Sequence, residues 1–220
     1  MTTALAEFVK LVAPDVIPCP SPIVEREVTG AIIEFCEKSD ILTKEFNVEL
    51  NSDDIDTDTQ DSIDIVVGEY LGDTYRPVSI IGIMIDSVPY IPESREIMNT
   101  IEYWDTVKEQ SVKYFHFVDN YLLRLYDMST SDSYAYIKMT VKPLRTSTTF
   151  ADVLYEDYAE TIAAGAKYRI LSNANKEWSN SKMMEINYRK WRRGLSRAKM
   201  RRNKNFTHVS QHANWRSFGE

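Results

Sequence analysis

The chain has 220 residues, is 43% hydrophobic and carries a net charge of −7. That length can bury the core of one substantial domain, or of a domain with an inserted lobe. No apolar run is long enough to span a bilayer, the opening MTTALAEFVK lacks the basic and apolar regions of a secretory signal, and Cys19 and Cys36 alone make no disulfide framework.

Leu5, Phe8, Val9 and Val12 fall on one face and predict a short helix over about 4–12. Pro14, Pro18, Pro20 and Pro22 keep the next stretch irregular. Ser21 is expected to N-cap a second helix, about 22–38, with Pro22 at its first position. Val24, Val28, Ala31, Ile32 and Phe35 form its apolar stripe, and it should end near Lys38–Asp40.

A β-rich lobe is expected over about 45–142. Phe46, Val48 and Leu50 alternate, as do Ile63, Ile65 and Val67. Val78–Ile85 is almost wholly apolar, which predicts a central strand covered on both faces. Ile97, Ile101 and Trp104 share a face and predict a helix over about 94–107. Tyr114–Val118 and Tyr121–Tyr126 read as one extended segment broken at Asp119–Asn120. Tyr134–Lys142 alternates Ala135, Ile137, Met139 and Val141 against Tyr134, Tyr136, Lys138 and Thr140. With the polar turn before it, this run predicts a hairpin with the segment at 121–126.

The C-terminal part predicts two long helices, about 151–172 and 180–202, parted by the turn residues Asn173–Ser179. Ala159, Ala163, Ala164, Gly165 and Ala166 are small enough to admit a close neighbouring helix. Met184, Tyr188, Trp191, Leu195 and Ala198 form the predicted core seam of the second helix. Residues 203–220 have no period and read as an extended tail. The expected class is α+β, with the N- and C-terminal helices forming a platform for an inserted antiparallel lobe, and residues 1–202 making one domain.

Charge is divided unevenly. Residues 181–220 hold eleven Lys or Arg against Glu185 and Glu220, so the preceding residues carry −16. Such a split suits a basic end that meets an acidic partner or nucleic acid, and equally a solvated helix face. Lys and Arg of Arg189–Lys204 could contact phosphates without reading sequence. Phe206, Trp215 and Phe218, with Arg216, have the makings of interface anchors.

Motifs for chemistry are missing. Asp54, Asp56 and Asp58 alternate like calcium ligands, but Thr59 stands where a glycine is needed and Ile65 where a bidentate Glu would close the cage. His208 and His212 lack companion ligands. No GxSxG, GxGxxG or GxxxxGK[ST] occurs. No catalysis and no cofactor are expected.

PSPIVEREVTGAIIEFCEKSDIL, the strand-rich middle with IMIDSVPYIPES and EYWDTV, the run closing on VKPLRT, and the final helical pair with its break at Lys176–Trp178 occur in an order that resembles the head-to-tail connector adaptors of tailed bacteriophages, over about residues 20–200. The resemblance implies a structural virion protein of the neck, assembled in the bacterial host cytoplasm. It implies a ring, commonly of twelve subunits, that joins the portal to the tail or next neck protein and lets DNA pass. The partners implied are further copies of the chain, the portal protein, the downstream protein and passing DNA, with no membrane. By this analogy Arg197, Arg201, Arg202, Phe206, Trp215, Arg216 and Phe218 would dock on the portal, and Asp53, Asp54, Asp56 and Asp58 would line the channel. The alternative is a nucleic-acid-binding protein using residues 189–204.

Overall fold

The computed structural model describes residues 2–51, 62–86, 88–92, 114–117, 121–125 and 133–203. In chain order these form β1 (Thr2–Ala4), α1 (Leu5–Val12), a 3-10 turn (Ala13–Asp15), α2 (Ser21–Ser39), β2 (Thr43–Leu50), β3 (Ile63–Val66), α3 (Val67–Leu71), a second 3-10 turn (Gly72–Thr74), β4 (Tyr75–Ile85) and β5 (Val88–Pro92). Then follow β6 (Tyr114–Phe117), β7 (Leu122–Leu125), β8 (Ser133–Pro143), β9 (Thr149–Ala151), α4 (Asp152–Glu156), α5 (Ala159–Leu171) and α6 (Ser181–Asn203). The fold is α+β. The chain divides into two compact units, one from Met1–Ile41 with Thr148–Glu220, the other Leu42–Ser147. The expected helix at 94–107 lies outside the described residues, as do Asp53, Asp54, Asp56, Asp58 and the tail from 204 onward.

The first unit is helical. Val24, Val28, Ala31, Ile32 and Phe35 of α2 are all buried, so the predicted stripe is the one that packs. Ser21 does not cap this helix. It lies inside it, Pro20 stands at the cap position, and the Ser21 hydroxyl bonds Glu25 Oε1 at 3.0 Å. Pro22 is tolerated because first-turn amides have no partner inside a helix. Asp40 ends α2 in the left-handed region, at φ 53°. The long helix expected over 151–172 is broken into α4 and α5 at Asp157–Tyr158. Tyr158 leaves helical geometry, at φ −131° and ψ 6°, and its buried ring meets Phe35 at 5.0 Å. Packing of that ring outweighs the helix-forming composition around it. Short β1 pairs antiparallel with β9, which ties the N-terminus to the start of α4, and Thr3 Oγ1 donates to Asp152 at 2.6 Å.

The second unit is a seven-stranded sheet in the order β2-β8-β4-β5-β6-β7-β3. Every pairing is antiparallel except β5 with β6. Val48, Leu50, Ile63, Ile65, Ile83, Ile85, Leu123, Leu125, Ala135, Ile137, Met139 and Val141 are buried and form its core. The hairpin expected between 121–126 and 134–142 does not form. β7 pairs with β6 and β3, whereas β8 pairs along its length with β2 and β4. Eleven-residue β8 finds long partners in β2 and β4, which a four-residue β7 cannot match. Segments 114–117 and 122–125, read as one extended stretch, are instead two antiparallel strands.

β4 is interior to the sheet but covered on one face only. Ile83 and Ile85 are buried, while Met84 is 44% and Ile81 41% exposed. Register shifts at Pro77/Ser79 and Ile80/Gly82 break the strict alternation and turn Ile81 outward. Val67, predicted on a strand, is buried as the first residue of α3. Tyr70 of α3, which follows edge strand β3, stacks on Phe46 of edge strand β2, with centroids 4.9 Å apart and planes at 5°.

Candidate interface on the C-terminal helix pair

α5 and α6 approach through glycine on both sides. A Cβ on Gly165 would stand 2.6 Å from the Trp191 ring, and one on Gly194 would overlap the Thr161 side chain. The small residues of α5 therefore do admit a close neighbour. The seam on α6 is Asn187, Trp191, Leu195 and Ala198. Trp191 and Ala198 are fully enclosed, but Tyr188 is 37% exposed, and Met184 is half-buried. Tyr188 thus lies at the rim of the seam, tilted against Tyr168 at 4.9 Å with the Arg192 guanidinium 5.8 Å from its ring. Asn187 takes the inward position because its amide Nδ2 donates to Met183 O at 2.9 Å, so its burial leaves no lost bond on that nitrogen. Asn180 caps α6, its Oδ1 accepting from the Met183 amide at 3.0 Å.

Arg169 of α5 fixes α2. Its Nε bonds Glu27 at 3.0 Å and its Nη1 bonds Glu34 at 2.8 Å. Gly30 lies between those two acids, and a Cβ there would come 2.9 Å from Arg169 Nη2. Burial on its own would raise the Glu27 carboxyl, but hydrogen bonds from Arg169 and Arg26 outweigh it and hold the group below its ordinary range.

The basic block does not present all its charges alike. Arg189 pairs with Glu185, Arg201 with Asp157 at 3.1 Å, and Arg202 with Asp40 at 3.7 Å. Two of the expected docking residues, Arg201 and Arg202, are therefore engaged by their own helical unit. Arg197 is exposed beside Lys190 and Arg193. Those three line one wall of a cleft of about 500 Å³ between α5 and α6, floored by Ala163, Ala164 and Gly194. Among the described residues none of the three has an ion-pair partner. Lys190 and Arg193 fall within the basic block 189–204 expected as possible phosphate contacts but not among the expected portal-docking residues, and Lys167 is in neither set. The three-and-four spacing of 190, 193 and 197 was the available signal, since it puts them on one helix face. Phe206, Trp215, Arg216 and Phe218 lie outside the described residues.

No family model matches the chain. No curated protein matches it significantly. Among the described residues no cluster of His, Cys, Asp and Glu could hold a metal ion, and no helix is long and apolar enough to cross a membrane. Cys19 and Cys36 are free thiols.

Proposed function

We propose that the protein is a structural connector adaptor of a tailed bacteriophage, a ring subunit that joins the portal to the tail or to the next neck protein. The observation that carries this reading is α6, 23 residues long, seated on α5 by reciprocal glycines and leading directly into the aromatic tail. Such a helix is a stiff mount for a segment that grips a partner. The acidic remainder of the chain, −16 before residue 181, suits a channel that phosphates pass without adhering. The order of segments that resembles the adaptor family supports the same role.

Ring contacts would be heterologous and close on themselves, the usual ring of this class having twelve copies. Assembly would take place in the host cytoplasm and the product would reside in the virion neck.

The test is co-expression of the full chain with the portal protein of the same genome, followed by electron microscopy. A ring beneath the portal is expected, and a chain ending at Asn203 should fold but fail to join it. Free portal and free adaptor in the presence of the full chain would overturn the reading. The rival, nucleic-acid binding through residues 189–204, predicts tight and steeply salt-dependent binding of duplex DNA by the isolated chain. The pairing of Arg189, Arg201 and Arg202 with acids of the same unit weighs against it.

A further inference from the structure

Helix α6 is seated on its unit by a narrow seam. Of its 23 residues only Asn187, Trp191, Leu195 and Ala198 are buried. Their spacing of four, four and three is close to a coiled-coil stripe, narrower than the face that a helix of a globular domain usually covers. Most of the circumference is exposed. Across it stand Lys182, Lys190, Arg192, Arg193, Arg197 and Lys199, none of which has an acid partner among the described residues. Apolar side chains lie between them, Ile186 39% and Met200 57% exposed.

Arg189, Arg193, Arg197 and Arg201 recur at every fourth position and form one ridge of the helix surface, about 18 Å long at 1.5 Å per residue. Like charges at that spacing weaken a helix, so such a ridge is stable only where carboxylates meet it. Here they meet its two ends, Glu185 at Arg189 and Asp157 at Arg201. The two middle arginines are unanswered.

The pair at the end of the ridge shows what kind of surface answers it. Asp157 belongs to the shoulder Asp152–Glu160, formed by α4 and the start of α5, whose sequence DVLYEDYAE holds four acids and no Lys or Arg. Glu156 and Glu160 are exposed there and have no cation partner among the described residues. Glu160 lines a cleft with Arg193 and Arg197 yet bonds neither. Each copy thus carries both halves of a charge-complementary contact and uses only one end of it. Val153, Tyr155 and Ala159 are half-buried beside these acids and offer apolar area to Ile186 and Met200. A nucleic acid suits the ridge less well, because Ile186, Met200 and Glu185 would be set against phosphates.

We propose that the arginine ridge of α6 docks on the acidic shoulder Asp152–Glu160 of a second copy of the chain, Arg193 and Arg197 pairing with its Glu156 and Glu160. This contact rests on the ring reading and gives it a chemistry. Unlike patches meet, so every pairing leaves one free ridge and one free shoulder, and the contact repeats until the ring closes. Arg197 belongs to this subunit interface and not to portal docking. The pairs are charge-assisted, so the contact weakens as salt rises.

The experiment is carbodiimide cross-linking of the isolated full chain, mixed from normal and nitrogen-15-labelled protein at low salt. The reagent joins an amine to a nearby carboxylate as an amide, the lost water being taken up as the urea. The expected product is a mixed-isotope peptide pair linking Lys190 to Glu156 or Glu160. Its yield should fall at least tenfold in R193E/R197E, whose folding circular dichroism verifies. In I186S/M200S, which leaves every charge in place, it should fall at least threefold. In sedimentation velocity neither R193E/R197E nor E156R/E160R should associate alone, whereas an equal mixture of the two should. Single-isotope links only, no link, a yield indifferent to R193E/R197E, or a mixture that stays monomeric would each overturn the proposal. So would a short duplex oligonucleotide that binds the full chain through Arg193 and Arg197 more tightly than the chain binds itself. Portal attachment is not read here: a ring beneath the portal without the mixed-isotope link would overturn this contact and keep the adaptor reading.

Discussion

Gly165 lies beneath the indole of Trp191, so near that a Cβ on the glycine would stand 2.6 Å from the ring. The close passage of α5 and α6 depends on that missing atom. Gly165→Leu should cost about 1–3 kcal/mol or more, through forced separation of the helices. Thermal unfolding followed by circular dichroism should show a loss of several degrees, about 2–4 °C per kcal/mol for a chain of this size. Gly82→Ala, where nothing lies within 4 Å, should stay within about 0.5 kcal/mol.

Trp191 and Tyr188 are separated by one helical turn but by a large difference in burial, 2% against 37% exposed. Trp191→Ala should cost about 3–5 kcal/mol, the range for an enclosed aromatic. Tyr188→Ala, at the rim, should cost about 1 kcal/mol. Urea denaturation of the two variants checks the assignment of the seam, and equal losses would contradict it.

The clamp of Arg169 on Glu27 and Glu34 makes stability depend on acid. The Glu27 carboxyl titrates below its usual 4.5 in the folded protein, so at low pH the unfolded chain binds more protons. The stabilisation is fully present above pH 4.5 and is lost as pH falls through the lowered value. In Arg169→Met the burial of Glu27 loses its main counterweight. Its melting temperature should be lower than wild type at pH 6, and the two curves should converge toward pH 3. Parallel curves across that range would show that the clamp carries no titrating contribution.

Strand β4 offers a contrast within two consecutive residues. Ile83 is 1% exposed and Met84 44%. Ile83→Ala should cost about 2–5 kcal/mol, whereas Met84→Lys should change stability by no more than about 0.5 kcal/mol. Denaturation midpoints of the two variants decide whether the outer face of the sheet is free in the isolated protein.

Helices were legible where one period ran unbroken. The stripe of α2 was readable because five apolar residues fall on one face and nothing competes with them. Tyr158 was not, since its departure from helical geometry is set by Phe35, more than a hundred residues earlier. Seam residue Asn187 escaped notice because its burial depends on a bond to Met183 O that no hydropathy pattern contains. Strands showed their presence and inward faces but not their partners. β8 joins β2 and β4 across long loops, and alternation is identical whichever neighbour is chosen. The apolar look of Val78–Ile85 misled for a related reason, because two register shifts in β4 send Ile81 outward. At the candidate interface the density of positive charge was plain from the sequence. Which cations are left over was not, because that depends on acids at 40 and 157 reaching α6.

The helical unit is assembled from both ends of the chain, with the β unit inserted between Ile41 and Thr148. On the ribosome this imposes an order. Leu42–Ser147 is contiguous and can close its sheet as soon as β8 has emerged, whereas α2 must wait with its apolar stripe uncovered until α5 is made. Completion of the unit that carries the basic helix is therefore among the last events of synthesis.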